Sequence, residues 1–122
     1  MAEAKVPLQL RAEIFCGANI ATREGAPVTE AEFARFLSHH VSGFPGYTVF
    51  SAEGHWSGEG RWQGKEQTRV IVLYGPNSPT FKDEIKRLAR NYAVMFDQDS
   101  VAVGLTLSAF GFVKQTEDAN VE

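Results

Sequence analysis

The fold is decided at residues 61–75, RWQGKEQTRVIVLYG. Val70, Ile71, Val72 and Leu73 are apolar at consecutive positions, so a strand through them is hydrophobic on both faces. Such a strand sits centrally in a sheet, with helices over one face and another cover over the other. The preceding half alternates instead, with Arg61, Gln63, Lys65, Gln67 and Arg69 set against Trp62, Gly64, Glu66 and Thr68. One segment therefore has a core end and a polar end carrying the residue types of a binding surface.

Working outward toward the N-terminus, residues 47–52 (YTVFSA) are β-branched and aromatic and predict the preceding strand. Residues 53–60 (EGHWSGEG) are glycine-rich and predict a long hairpin connection whose flexible tip holds His55 and Trp56. Earlier still, Leu8, Leu10, Ala12, Ile14 and Cys16 alternate with Gln9, Arg11, Glu13 and Phe15, the pattern of a strand with one buried face. Cys16 falls on the buried set and reads as a small core hydrophobe rather than a catalytic thiol. After a connection over 17–27, Thr29 and Glu32 form the T-x-x-E capping box of a helix. Phe33, Phe36, Leu37, His40 and Val41 make its packing stripe, and Ser42, Gly43 and Pro45 stop it. His39 and His40 are adjacent, so on a helix they point about 100 degrees apart and do not form an i, i+4 ligand pair. No metal is expected.

Toward the C-terminus, Gly75, Pro76 and Asn77 end the strand, and Ser78 caps a second helix with Pro79 at its first position. Phe81, Ile85, Leu88, Ala89, Tyr92 and Met95 or Phe96 form its apolar stripe, while Lys82, Asp83, Glu84, Lys86, Arg87 and Arg90 face water. A turn at 97–100 precedes a last strand in which Val101, Val103, Leu105 and Leu107 alternate with smaller residues. Phe110 and Phe112 fall on the opposite parity. The polar tail 115–122 is expected to fray.

The order β-α-β-β-α-β with two amphipathic helices predicts an α+β ferredoxin-like plait, a four-stranded antiparallel sheet with both helices on one face. Residues 1–122 make a single domain with an ordered core over about 8–114. Phe15, the doubly apolar run, Phe110 and Phe112 supply apolar groups to the helix-free face as well. An uncovered face of that kind predicts homo-oligomerisation through it, as a trimer or a dimer.

The totals exclude several classes. A composition of 43% hydrophobic and 22% charged residues is ordinary for a soluble globular protein. A net charge of −3 has the wrong sign for nucleic-acid binding. One cysteine excludes an internal disulfide, and no stretch approaches the ~18 apolar residues of a membrane span. The opening residues, MAEAKVPLQLRAEIF, lack the apolar run of a signal peptide, so the expectation is a cytoplasmic protein with no membrane partner.

Several stretches carry a resemblance: EIFCG at 13–17, PVTEAEF at 27–33, GHW at 54–56, EQTRVIVL at 66–73 and FDQDSV at 96–101. Through them the chain resembles an uncharacterised family of short bacterial proteins built on a domain of unknown function. More distantly, the tryptophan-bearing hairpin before the central strand is similar to the CutA and PII-like trimers. That resemblance implies a ferredoxin-like plait whose open sheet faces pack together and whose small ligands bind between subunits.

The candidate binding residues are Trp56, Arg61, Trp62, Glu66, Arg69 and Tyr74, with His55 nearby. Trp62, Glu66 and Tyr74 share strand parity, whereas Arg61, Lys65 and Arg69 project to the other face. Aromatic faces beside arginines suit a planar anionic ligand through stacking and bidentate hydrogen bonds. The structural alternative is that the tryptophans fill an interface and the arginines pair with acids. The leading expectation is a non-enzymatic oligomeric module that senses or sequesters an anionic metabolite or signal nucleotide at inter-subunit clefts, without a cofactor. The alternatives are a small enzyme using Glu66 or His55 as general acid or base, and an interaction module docking through the 53–60 tip. The chain contains no nucleophile elbow, P-loop, dinucleotide fingerprint or HExxH motif.

Overall fold

The computed structural model describes residues 8–20, 23, 26–57 and 64–115. The expected hairpin tip at 58–60, Arg61 and Trp62, and the tail from 116 onward lie outside the described residues. The elements run β1 (Leu8–Gly17), α1 (Glu30–Phe36), a π-helical turn (Leu37–Val41), β2 (Thr48–Trp56), β3 (Gly64–Gly75), α2 (Pro79–Met95) and β4 (Ala102–Ala109). They build one four-stranded sheet in the order β2-β3-β1-β4, with every neighbouring pair antiparallel. The fold is α+β.

Val70, Ile71, Val72 and Leu73 are at most 5% exposed, as their doubly apolar pattern requires of a strand flanked on both sides. β1 and β2 both run antiparallel to β3 and are therefore parallel to each other; β3 and β4 stand in the same relation across β1. Each β-α-β connection thus steps over one strand, and that slot is filled by a strand of the other connection. The register assigns the faces. Leu10, Ala12 and Ile14 oppose Gly75, Leu73 and Ile71 on one side and Leu107, Leu105 and Val103 on the other, and all point toward the helices.

On that helix side, Phe33 and Phe36 from α1 and Phe81, Ile85, Leu88 and Tyr92 from α2 close one core with β1 and β3. Tyr92 is its pivot. Its ring meets Phe36 edge-on at 5.2 Å and Phe96 at 4.8 Å, and its hydroxyl donates to the Gly17 carbonyl at 2.6 Å. Cys16 is fully buried there, and burial pushes its thiol up to about 12. The expected caps form. Thr29 Oγ1 accepts from the Glu32 N–H, the Glu32 carboxylate accepts from the Thr29 N–H, and Ser78 Oγ accepts from the Phe81 N–H.

Four departures have physical causes. The first helix ends in a π turn, with the Ser42 N–H donating to the Leu37 carbonyl five residues back, so that His40 lies on Phe36. Glu53, Gly54, His55 and Trp56, expected in a connection, belong to β2 because their backbone pairs with residues 64–67 of β3, and ladder pairing overrides the weak strand preference of glycine. Leu8 is 61% exposed because it lies beyond the end of β3 and pairs only with Ala109. Phe96 takes the last place on the α2 stripe, four residues after Tyr92, and leaves Met95 outside. No described helix is long and apolar enough to cross a membrane.

The helix-free face carries Phe15, Val70, Val72 and Tyr74 on the central strands and Phe50 and Trp56 on β2. Phe110 stacks on Tyr74 at 3.9 Å. Phe50 and Trp56 remain 44% and 42% exposed.

Candidate functional site

Glu66 is the third residue of β3, and the period of two places it on the helix-free face with Val70, Val72 and Tyr74. It is a carboxylate only 7% exposed. Two glycines make its place. Gly17, where β1 ends, has no side chain because a Cβ there would overlap the Glu66 carboxylate. Gly54, directly opposite Glu66 on β2, leaves a slot in which a Cβ would stand 2.9 Å from Trp56 Nε1. The Trp56 ring folds across that slot, and its indole N–H donates to Glu66. A second donor, the Asn19 backbone N–H, reaches Oε2 at 2.9 Å.

Burial is the dominant influence on this carboxyl and raises its pKa; the Asn19 and Trp56 donors oppose that shift by favouring the ionised form. A desolvated carboxyl held by two fixed donors is poised to exchange a proton or to pair with a cation. It opens into a cavity of about 210 Å³ with Phe15, Trp56, Gln98, Ser100 and Val101 on its walls. The last three come from the turn between α2 and β4. The Asp97 backbone there is left-handed (φ 48°), and the Gln98 side chain donates to the Asn19 carbonyl at 2.7 Å.

The structure brings Trp56 and Glu66 together and disperses their expected companions. Arg69 shares β3 but projects to the helix side, where it donates to the Val28 carbonyl at 3.3 Å and lies 5.1 Å from the Phe33 ring centre. Tyr74 shares the Glu66 face, yet eight residues of strand separate them by about 27 Å. It accepts from Arg11 at 2.6 Å. His55 projects to the helix side and pairs with Glu53 at 2.8 Å, where Lys65 also meets Glu53 at 3.1 Å. His55 and Glu66 therefore stand on opposite faces and do not form an acid–base pair. Arg61 and Trp62 lie outside the described residues. Gly17, Gly54, Asn19 and Gln98 are the residues that pattern reading passes over. Three of them act through backbone or through a missing side chain, which leaves no side-chain signal.

A helix-packed α+β sheet with a buried carboxylate at one end of its open face is the class of protein these features define. The model of the family described as a protein of unknown function, DUF3574, matches residues 11–112, and the chain belongs to that family. A comparison with curated proteins found no match. Among solved structures, the chain is similar to a phage SAM lyase in its apo state, at 17% identity and a TM-score of 0.65 over 88% of this chain and 87% of that one. It is also similar to a phage SAM lyase in complex with S-methyl-5′-thioadenosine, at 16% identity and a TM-score of 0.64 over 97% and 99% of the two chains. At these identities the likeness is one of fold.

These findings correct the expectation of a non-enzymatic module for an anionic metabolite or signal nucleotide. Two solved structures that share the architecture are of a phage SAM lyase, so the fold is one on which catalysis is carried out. The chemistry agrees. The charge facing the cavity from β3 is a carboxylate, and Arg69, expected to attract an anion, sits behind the sheet.

Proposed function

We propose that this protein is an enzyme of the lyase type acting on S-adenosylmethionine or a closely related sulfonium nucleoside, with Glu66 as its central residue. The observation that carries the reading is the buried Glu66 carboxylate facing a cavity walled by the rings of Phe15 and Trp56. Aromatic faces suit a nucleobase by stacking and a sulfonium by cation–π attraction. A carboxylate in a poorly solvated site attracts that cation more strongly than it would in water. When the C–S bond to the amino-acid chain breaks, its electron pair moves onto sulfur to leave a neutral thioether, while the substrate's own carboxylate bonds to the vacated carbon and closes it as a lactone. A site shielded from water favours such loss of charge. S-Methyl-5′-thioadenosine, bound in the similar lyase structure, is a thioether of this kind.

The reading includes the architecture and the assembly. The strand order with two interleaved β-α-β connections supports a ferredoxin-like plait. Exposed Phe50 and Trp56 beside buried Val70 and Val72 support homo-oligomerisation through the open face, which would place the Glu66 cavity beside a neighbouring copy.

The test is incubation with S-adenosylmethionine, with chromatography for S-methyl-5′-thioadenosine and titration calorimetry for binding of either compound. Thioether release is expected, falling at least about 100-fold in Glu66→Gln. Because burial raises the Glu66 pKa and the cation pairs with the ionised form, sulfonium affinity should weaken as pH falls through that raised value. The absence of both turnover and binding in the unmodified protein would overturn the proposal.

A further inference from the structure

We propose that Gln98 is a positioning residue for the Glu66 carboxylate, acting through residue 19. Gln98 stands in the FDQDSV stretch at 96–101, on the turn that walls the cavity. Its Nε2 donates to the Asn19 carbonyl at 2.7 Å and to the Phe96 carbonyl at 3.1 Å. The N–H of the same Asn19 donates to Glu66 Oε2 at 2.9 Å. One residue is thus held from its carbonyl side by Gln98 while its amide holds the carboxylate.

The anchoring on either side explains why this tether matters. Before residue 19, the Ala18 N–H donates to the Gln67 carbonyl at 2.9 Å and the Ala18 carbonyl accepts from the Val28 N–H at 2.7 Å. Those bonds fix residue 18 between β3 and the segment that leads into α1. Among the described interactions, Asn19 itself is fixed through Glu66 and Gln98 alone. Gln98 is placed in turn by its own N–H, which donates to the Ala93 carbonyl at 2.8 Å at the end of α2, and by the left-handed Asp97 before it. A ligand that presses on the 98–101 wall therefore reaches Glu66 through two hydrogen bonds. Loosening Asn19 removes one of the two donors that favour the ionised carboxylate.

Among the described residues, the titratable groups around this arrangement include Asp97 beside Gln98 in the turn, Asp99 on the cavity wall and, beneath Gly17, Tyr92 and Cys16, both kept neutral by burial. Arg69 lies on the far side of the sheet. The inference rests on the proposed role of Glu66 for its importance, but its test needs no ligand. The experiment is a carbon-13 NMR titration of the Glu66 side-chain carboxyl, assigned by its disappearance in Glu66→Gln, in the unmodified chain and in Gln98→Met. The methionine keeps the length of the side chain and removes its donor.

The Glu66 midpoint is expected to move further upward in Gln98→Met. In the unmodified chain, the Gln98 side-chain amide and the Asn19 backbone amide should shift with the Glu66 midpoint. That second measurement stands even if the methionine variant fails to fold. An unchanged midpoint in a folded Gln98→Met, or a Gln98 amide indifferent to the titration, overturns the inference. A protein that shows the coupling but never binds a sulfonium would sink the proposed function and leave the positioning role intact.

Discussion

Gly17 and Glu66 compete for one volume, and the competition defines the site at the scale of single residues. A Cβ at residue 17 falls on the carboxylate, whereas a Cβ at Gly46 meets nothing within 4 Å. Gly17→Ala is therefore expected to cost roughly 1–3 kcal/mol through overpacking. It should also turn Glu66 away from the Asn19 amide. Gly46→Ala should change stability far less. Urea denaturation of the two variants side by side checks this. Equal effects would mean that the carboxylate moves aside freely and is not held as described.

At the scale of elements, the start of α1 shows a local device whose pH behaviour can be worked out in sign. Arg23 forks onto both oxygens of Glu32 at 2.8 and 2.7 Å. Together with the Thr29 N–H, it lowers the carboxyl from 4.5 to about 2. A depressed acid stabilises the folded state above its ordinary pKa and loses that contribution as pH falls through its folded value. The stability difference between the unmodified chain and Glu32→Gln should therefore be constant above about pH 4.5 and close between there and about pH 2. Thr29→Ala, which removes the other half of the box, should cost about 1 kcal/mol. Denaturant midpoints across pH measure both, and a difference that widened on acidification would contradict the assignment. The π turn that follows has no comparable signal, because the 3.3 Å approach of Asn91 to His40 depends on α2 arriving from elsewhere in the chain.

For the whole molecule, the open question is the face without helices. Its centre is buried between neighbouring side chains, while Phe50 on the flanking strand stands 44% exposed. Apolar burial between copies would stabilise an assembly by about 25 cal/mol for each Å² covered. Analytical ultracentrifugation is expected to find an oligomer that Phe50→Glu separates into 13.5 kDa subunits. A lone subunit at high concentration in the unmodified chain would remove the oligomer from the proposal. The Glu66 cavity would then have to work within one copy.

What the sequence alone determined is everything that depends on neighbours within about four residues. The doubly apolar Val70–Leu73 run put β3 in the interior of the sheet, the Thr29–Glu32 box opened α1, and strand parity assigned Glu66 and Arg69 to opposite faces. The tertiary structure decided which of those groups meet. The Asn19 amide finds Glu66 across 47 positions, and Gln98 finds the Asn19 carbonyl across 79. Such contacts follow from how strands register and where a turn lands, which no local periodicity encodes. The same register carries Tyr74 to the far end of its strand and turns His55 to the other side.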